Sequence, residues 1–303
     1  MTQQFIKELE KIVKTEQILL EEPMSRHITF RVGGPADVLV QPHKFQVADV
    51  IALCKKEQVP YLVIGNGSNL LVSDRGIKGV VIELSKQASD IDIVGSRVSV
   101  QAGAMLSKVA SLVAKEGLTG MEFASGIPGT IGGAVVMNAG AYGGEMSQIV
   151  KNVVILDETG EERRLSVEEM EYSYRHSIIM EHPYIVLAAE LELQQGDIEE
   201  IQAHMKQLAA QRTEKQPLEF PSAGSTFKRP EGYFAGKLIM DAGLRGYTIG
   251  GAQVSEKHCG FVINRDNATA ADVDALMKHI QTIVRERFGV TLEPEVRKLG
   301  DFV

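Results

Sequence analysis

The chain has 303 residues, enough for two domains or three small ones. With 44% hydrophobic and 24% charged residues it can bury a full apolar core. Its net charge of −8, spread without blocks of one sign, argues against nucleic acid or anionic membrane as the main partner. A small anionic ligand remains compatible, provided that it finds a locally basic pocket.

The amino-terminal segment MTQQFIKELEKIVK is charged and amphipathic, which reads against a secretory signal. The apolar runs at 80–84 and 184–189 are far too short to span a bilayer. Only Cys54 and Cys259 occur, and neither has a CxxC partner. A single disulfide is compatible with this spacing, but two lone thiols fit a reducing compartment better. No zinc-type Cys/His spacing is found, so no metal is expected. These features together predict a soluble cytoplasmic protein with no membrane or nucleic-acid partner, and none of them points to a protein partner.

In chain order, Phe5, Ile6, Leu9, Ile12 and Val13 recur at helical spacing and predict a first amphipathic helix. Strand-like runs follow at 37–40, 61–65 and 79–84, with a helix-like segment near 44–58. Residues 90–103 read as a hairpin. Leu106, Val109, Ala110 and Val113 then mark a helix that Gly117 stops. A stretch rich in glycine and small residues covers 120–144, and strand character resumes at 153–157 and 184–193. Asp197 caps a predicted helix carrying Ile198, Ile201, Met205 and Leu208. Beyond a proline-bearing loop at 214–225 come a strand at 259–266, a helix through Val273–Val284 and a short strand near EVRKLG. The class is α+β with mixed sheets, and the last domain boundary falls near 195–215.

Two glycine-rich loops carry the first chemical signal. GNGSN (65–69) follows the strand YLVIG, and Gly65 and Gly67 permit close backbone approach and successive N–H groups aimed at one anion. Alone, it reads slightly better as a strand-ending turn. Leu70 stands where a dinucleotide-binding G-x-G-x-x-G needs its third glycine, and no G-K-[ST] tripeptide occurs. The second loop is GIPGTIGGAVVMNAGAYGG (126–144). Each glycine inside regular structure costs roughly 0.5–1 kcal/mol relative to alanine, so the cluster needs a reason. Crossing turns are one reason; backbone lying against a flat or extended ligand is a better one. As a pair, the loops suit a dinucleotide with a central pyrophosphate.

The ordered set TFRVGGPAD (29–37), GNGSNLL (65–71), GIPGTIGGAVVMNAGAYG (126–143), YSYRHS (172–177), PSAGSTFKRP (221–230) and LEPEVR (292–297) resembles the UDP-N-acetylenolpyruvoylglucosamine reductase family. The resemblance runs from about residue 25 onward. It implies an FAD-binding fold of the vanillyl-alcohol-oxidase (PCMH) type in two subdomains, 1–85 and 86–200, with a C-terminal α+β substrate-binding domain at 201–303. FAD would be held without a covalent link, and NADPH would reduce it. On this likeness Gly65, Asn66, Gly67, Ser68, Asn69 and Leu70 cradle the FAD pyrophosphate. Gly126, Ile127, Thr130, Gly132 and Gly133 line the flavin. Asn138 and Tyr142 lie near flavin and substrate. Without an insertion between Arg175 and Ser225, the chain is similar to the shorter second type of the family, which lacks a tyrosine-bearing substrate lid.

The implied reaction reduces an enol ether whose double bond bears a carboxylate. Arg175, a permanent cation with a planar donor fork, suits the dianionic enolate that develops; an ordinary surface ion pair is its bland reading. The resemblance assigns Ser225 as proton donor, with Lys228 nearby in sequence to assist and to contact substrate; a turn hydroxyl is the bland reading. Glu295 completes the set if protonated and donating a hydrogen bond, against the alternative of a strand-edge carboxylate paired with Arg297. Lys215, Lys228, Arg229 and Lys237 are candidates for the UDP diphosphate. Two rivals stay open: an FAD oxidase of the same fold, and a nucleotide-binding module without catalysis.

Overall fold

The computed structural model describes residues 1–302. The chain resolves into two compact units, each assembled from separate stretches. Met1–Leu19, Val38–Asn66 and Gly79–Arg212 form the first; Leu20–Asp37, Gly67–Lys78 and the chain from Thr213 onward form the second.

The first unit is built on a five-stranded antiparallel sheet in the order Glu162–Ser166, Val150–Leu156, Ile185–Glu192, Arg97–Gln101, Ile91–Val94. The last two strands are the predicted hairpin. Alternation along Arg97–Gln101 buries Val98 and Val100 and leaves Arg97 and Ser99 exposed, as one wet and one dry sheet face require. Tyr61–Ile64 pairs in parallel with the Val80–Glu83 end of the strand Ile77–Glu83. Helices α1 (Gln3–Leu9), α2 (Val47–Lys56), α3 (Leu106–Lys115), α4 (Ile131–Val136) and most of α5 (Ile198–Lys215) belong here. Their apolar stripes share one core: Phe5 and Leu9 of α1, Val50 and Ile51 of α2, and Val109 and Val113 of α3 are buried with the sheet residues Val153 and Leu191. Gly117 closes α3 with φ 69°, and the Asp197 carboxylate accepts the Glu200 N–H at 3.0 Å, so both predicted helix signals operate. The first helix ends before Ile12 and Val13; Val13 is buried beyond it.

In the second unit, helix α6 (Ala235–Asp241) precedes a three-stranded antiparallel sheet of Thr248–Ile249, Ala252–Val254 and Val262–Asn264. Helix α7 (Ala270–Phe288) lies against that sheet and buries Val273, Leu276, Met277, Ile280 and Val284. Its start is fixed twice. Thr269 and Asp272 exchange capping hydrogen bonds, and the Asp74 carboxylate accepts the N–H groups of Ala270 and Ala271 at 2.8 and 2.9 Å. Gly289, φ 68°, ends it. The final strand, Arg297–Leu299, pairs in parallel with Leu70–Val72. Among the described residues no helix is long and apolar enough to cross a membrane, and Cys54 and Cys259 are both free and buried.

Candidate functional site

Within the first unit the two predicted glycine loops meet. Thr130 caps α4, its Oγ1 accepting the Gly133 N–H at 3.4 Å, and the same oxygen lies where a Cβ on Gly65 would stand. The Asn66 amide donates to the Pro128 carbonyl at 2.7 Å. Further along, a Cβ on Gly132 would come 2.8 Å from that of Ala102, and one on Gly126 would come 2.8 Å from Nη1 of Arg212. Main-chain bonds stitch the segment to the turn before α3: Leu106 N–H to Gly129, Ile131 N–H to Ala104 and Gly132 N–H to Ala102, at 3.0, 2.9 and 2.8 Å. Gly65 and Gly132 therefore have no room for side chains, Gly126 could take one only if the Arg212 guanidinium shifted, and the face they present is backbone. A flat ring system and a pyrophosphate need such a surface, so these residues fit a bound FAD.

The segment YSYRHS docks beside that region. Ser173 and His176 exchange two main-chain hydrogen bonds of 3.2 Å, leaving Tyr174 and Arg175 at the tip of a tight hairpin, with Arg175 at φ 56°. Three further contacts pin the hairpin to residues 136–140. Ser177 Oγ donates to Val136 O at 2.6 Å, Asn138 Nδ2 to Ser173 O at 3.2 Å, and Arg175 Nη2 to Gly140 O at 3.2 Å. The Arg175 guanidinium also lies over the Tyr174 ring, 5.2 Å from its centroid. Tyr142 is exposed at the turn between Gly140–Ala141 and Gly144–Glu145 and has φ 53°. Asn138, Tyr142 and Arg175 thus all hold left-handed backbone, which side chains adopt only when the surroundings impose it.

The second unit brings Ser225 and Glu295 onto neighbouring backbones. Phe227 bridges Pro294, Lys228 N–H donates to Glu293 O at 2.8 Å, and Glu295 N–H donates to Thr226 O at 2.9 Å. On its other side, Thr226 donates its N–H to Gly260 O and accepts the Val262 N–H on Oγ1, both at 2.9 Å. Ser225 is exposed and Glu295 half-buried. The loop residues Gly67–Leu70 lie in this unit, where Asn69 donates to Glu295 O at 3.0 Å and accepts the Arg297 N–H at 3.0 Å. Gly67, with φ 60°, would meet the His27 carbonyl if it carried a side chain. Ser68 is half-buried and Leu70 opens its strand. Lys228 pairs with Glu293 at 3.3 Å and Lys237 with Asp241 at 2.7 Å, whereas Arg229 stacks on Phe234 at 4.0 Å.

Several supporting residues escape a sequence reading. Ser177 is completely buried, and Thr29 donates to Ser222 O at 2.6 Å, anchoring the stretch before Ser225. Arg212, pushed below its ordinary pKa by burial, reaches Gly126 from the end of α5. A hydroxyl or guanidinium aimed at main chain leaves no local spacing signal; only its position inside a recognised motif or at a helix end marks it. No group of three or more metal-competent side chains occurs among the described residues.

Family models match two stretches of the chain. Residues 35–166 match the model of an FAD binding domain, and 216–299 match the UDP-N-acetylenolpyruvoylglucosamine reductase C-terminal domain. A UDP-N-acetylenolpyruvoylglucosamine reductase of Clostridioides difficile is 56% identical, the match covering 96% of each chain. One from Agathobacter rectalis is 51% identical over the whole of both. The crystal structure of UDP-N-acetylenolpyruvylglucosamine reductase from Thermus caldophilus superposes with a TM-score of 0.79 at 34% identity, over 93% of this chain and 98% of that one. An alkyldihydroxyacetonephosphate synthase, 16% identical with a TM-score of 0.50 over 64% of this chain and 41% of that one, shares the fold alone. On these grounds the chain belongs to the UDP-N-acetylenolpyruvoylglucosamine reductase family, FAD-dependent oxidoreductases of peptidoglycan precursor synthesis with NADPH as reductant.

Proposed function

We propose that Arg175, Ser225 and Glu295 carry out, in this chain, the reduction of UDP-N-acetylglucosamine enolpyruvate to UDP-N-acetylmuramate. FAD, when bound and reduced by NADPH, would supply the hydride that the terminal vinyl carbon needs. The remaining work belongs to the protein. Charge grows on the neighbouring carbon and spreads into its carboxylate; the Arg175 fork neutralises it, a contribution realised mainly in the transition state. Ser225 Oγ then delivers a proton to that carbon. Glu295, held protonated, donates a hydrogen bond to the enolate instead of repelling it.

The observation that carries this reading is the Glu295–Thr226 main-chain bond of 2.9 Å, which sets the predicted acid and its carboxyl neighbour on adjacent backbones. In this reading residues 1–85 and 86–200 hold the flavin and 201–303 the sugar nucleotide. Gly65–Leu70, with Gly126, Ile127, Thr130, Gly132 and Gly133, face FAD without a covalent link. Tyr142 and Lys228 meet the substrate, joined by a choice among Lys215, Arg229 and Lys237 at the diphosphate. Its partners are then small molecules, NADPH and a UDP-sugar, and its place is the cytoplasm.

The test is to reduce the flavin with NADPH in the absence of oxygen and then add UDP-N-acetylglucosamine enolpyruvate. Rapid return of the oxidised spectrum, lost in Ser225→Ala, is the expected result. Flavin that stays reduced until oxygen enters would overturn the substrate assignment in favour of an oxidase of the same fold.

A further inference from the structure

We infer that Asn138 is a positioning residue for Arg175, acting through the hairpin that carries the arginine and not through contact with the ligand; the inference rests on Arg175 being the enolate-binding cation. Asn138 is only 1% exposed. Both ends of its amide are engaged by protein: Nδ2 donates to Ser173 O at 3.2 Å, and Oδ1 accepts the Ser147 N–H at 2.9 Å. One side chain therefore ties the first residue of the Tyr174–Arg175 hairpin to the segment after Glu145. The backbone of Asn138 turns back at φ 43°, a conformation that asparagine tolerates better than most residues, and this turn presents Gly140 O to Arg175 Nη2 at 3.2 Å. The same residue sets where the hairpin begins and where the carbonyl that steers the guanidinium stands.

The hairpin is otherwise short of regular support. Its Ser173–His176 bridge is isolated, and Arg175 itself has a strained φ of 56°. Ser177 fixes its far end on Val136 and Asn138 its near end. With the near end released, the hairpin keeps the Ser177 hydroxyl on Val136, the Ile178 N–H on Met170 O and the arginine's own bond to Gly140, but loses its tie to the Ser147 segment. The bond to Gly140 uses a donor of the fork that has to meet a carboxylate. A displacement of about 1 Å in such a group costs roughly a hundredfold in rate.

The experiment compares Asn138→Gly, Asn138→Asp, Arg175→Ala and the double variant Asn138→Gly/Arg175→Ala. Glycine keeps the left-handed backbone and removes the amide. Aspartate keeps the acceptor for Ser147 and loses the donor to Ser173, so it serves if the glycine variant folds poorly. Both should retain the wild-type flavin content, flavin absorption spectrum and rate of reduction by NADPH. Flavin reoxidation by the enolpyruvyl substrate should slow by about 10–100-fold, with kcat falling and KM little changed. In the Arg175→Ala background the Asn138 change should add less than about twofold, because its effect is already gone. Full additivity in the double variant, or a rise in KM alone, would overturn the inference and return Asn138 to the ligand. Wild-type reoxidation by Arg175→Ala would instead sink the role of Arg175 itself, a result distinct from normal reoxidation by the Asn138 variants alone.

Discussion

The main-chain N–H of Glu295 donates to the carbonyl of Thr226 at 2.9 Å, so Glu295 stands opposite Thr226, the residue after Ser225, across one antiparallel pair. Asn69 holds the carbonyl of the same glutamate at 3.0 Å. Glu295 is thus fixed at both backbone atoms while its side chain is only half-buried. On the proposed mechanism, a carboxyl group so held is useful if it is protonated and donates a hydrogen bond.

The first prediction concerns that protonation state. Glu295→Gln keeps a donor and should retain activity within about tenfold, whereas Glu295→Ala should lose about a hundredfold or more, the scale of one lost transition-state donor. Steady-state rates across a range of pH would decide it. An ionised catalytic carboxylate would instead make both variants equally poor.

Ser225→Ala should slow substrate-dependent flavin reoxidation by about 10²–10⁴-fold, the usual worth of a positioned general acid. Reduction by NADPH should be unchanged, since no proton from Ser225 is spent there. Stopped-flow measurement of the two half-reactions separately gives the answer.

Gly65→Ala should be purified with little or no flavin. Its methyl group would occupy the place of Thr130 Oγ1, the atom that caps α4. Either the loop or the helix cap must then move, and a lost cap costs about 1 kcal/mol. The flavin-to-protein absorbance ratio reads the outcome.

Asp274 sets an acid limit on the second unit. Burial alone would raise its pKa, yet hydrogen bonds and attraction from Lys278 and Lys298, at 2.7 and 2.9 Å, hold it below the ordinary 3.8. A carboxyl group depressed in the folded state contributes stability that is complete above its unfolded pKa. That contribution disappears as pH falls through the folded value. Thermal midpoints of the wild type should therefore drop steeply below about pH 4, and Asp274→Asn should start lower at neutral pH and show a shallower slope. Parallel slopes for the two proteins would show that the ion pair carries no such linkage.

Cys54 should be inert in the native protein. It is fully buried in α2, and burial pushes its thiol up to about 11, so almost no thiolate exists at neutral pH. A thiol reagent should label it only on unfolding.

Much of the local structure is legible in the sequence because it rests on short-range physics. Gly117 stops α3, Asp197 caps α5, and the 97–101 alternation declares a strand with one wet face. The motif order likewise carries the family, and with it the reaction. Spacing along the chain does not reveal that each compact unit gathers several separated stretches. Nor does it reveal that Asp74 caps the helix beginning at Ala270, since that hydrogen bond pays off only after distant backbone has converged.

Periodicity, turn chemistry and local motifs suffice for the α+β class and the family. Packing in three dimensions settles who supports whom. It set Gly65 under Thr130, Asn138 behind Ser173 and Glu295 beside Thr226. Those relationships are hydrogen bonds and close approaches between segments far apart in the chain, and backbone polar groups of any residue can make them. Their partners are chosen by how the core packs, which no local pattern of side chains encodes.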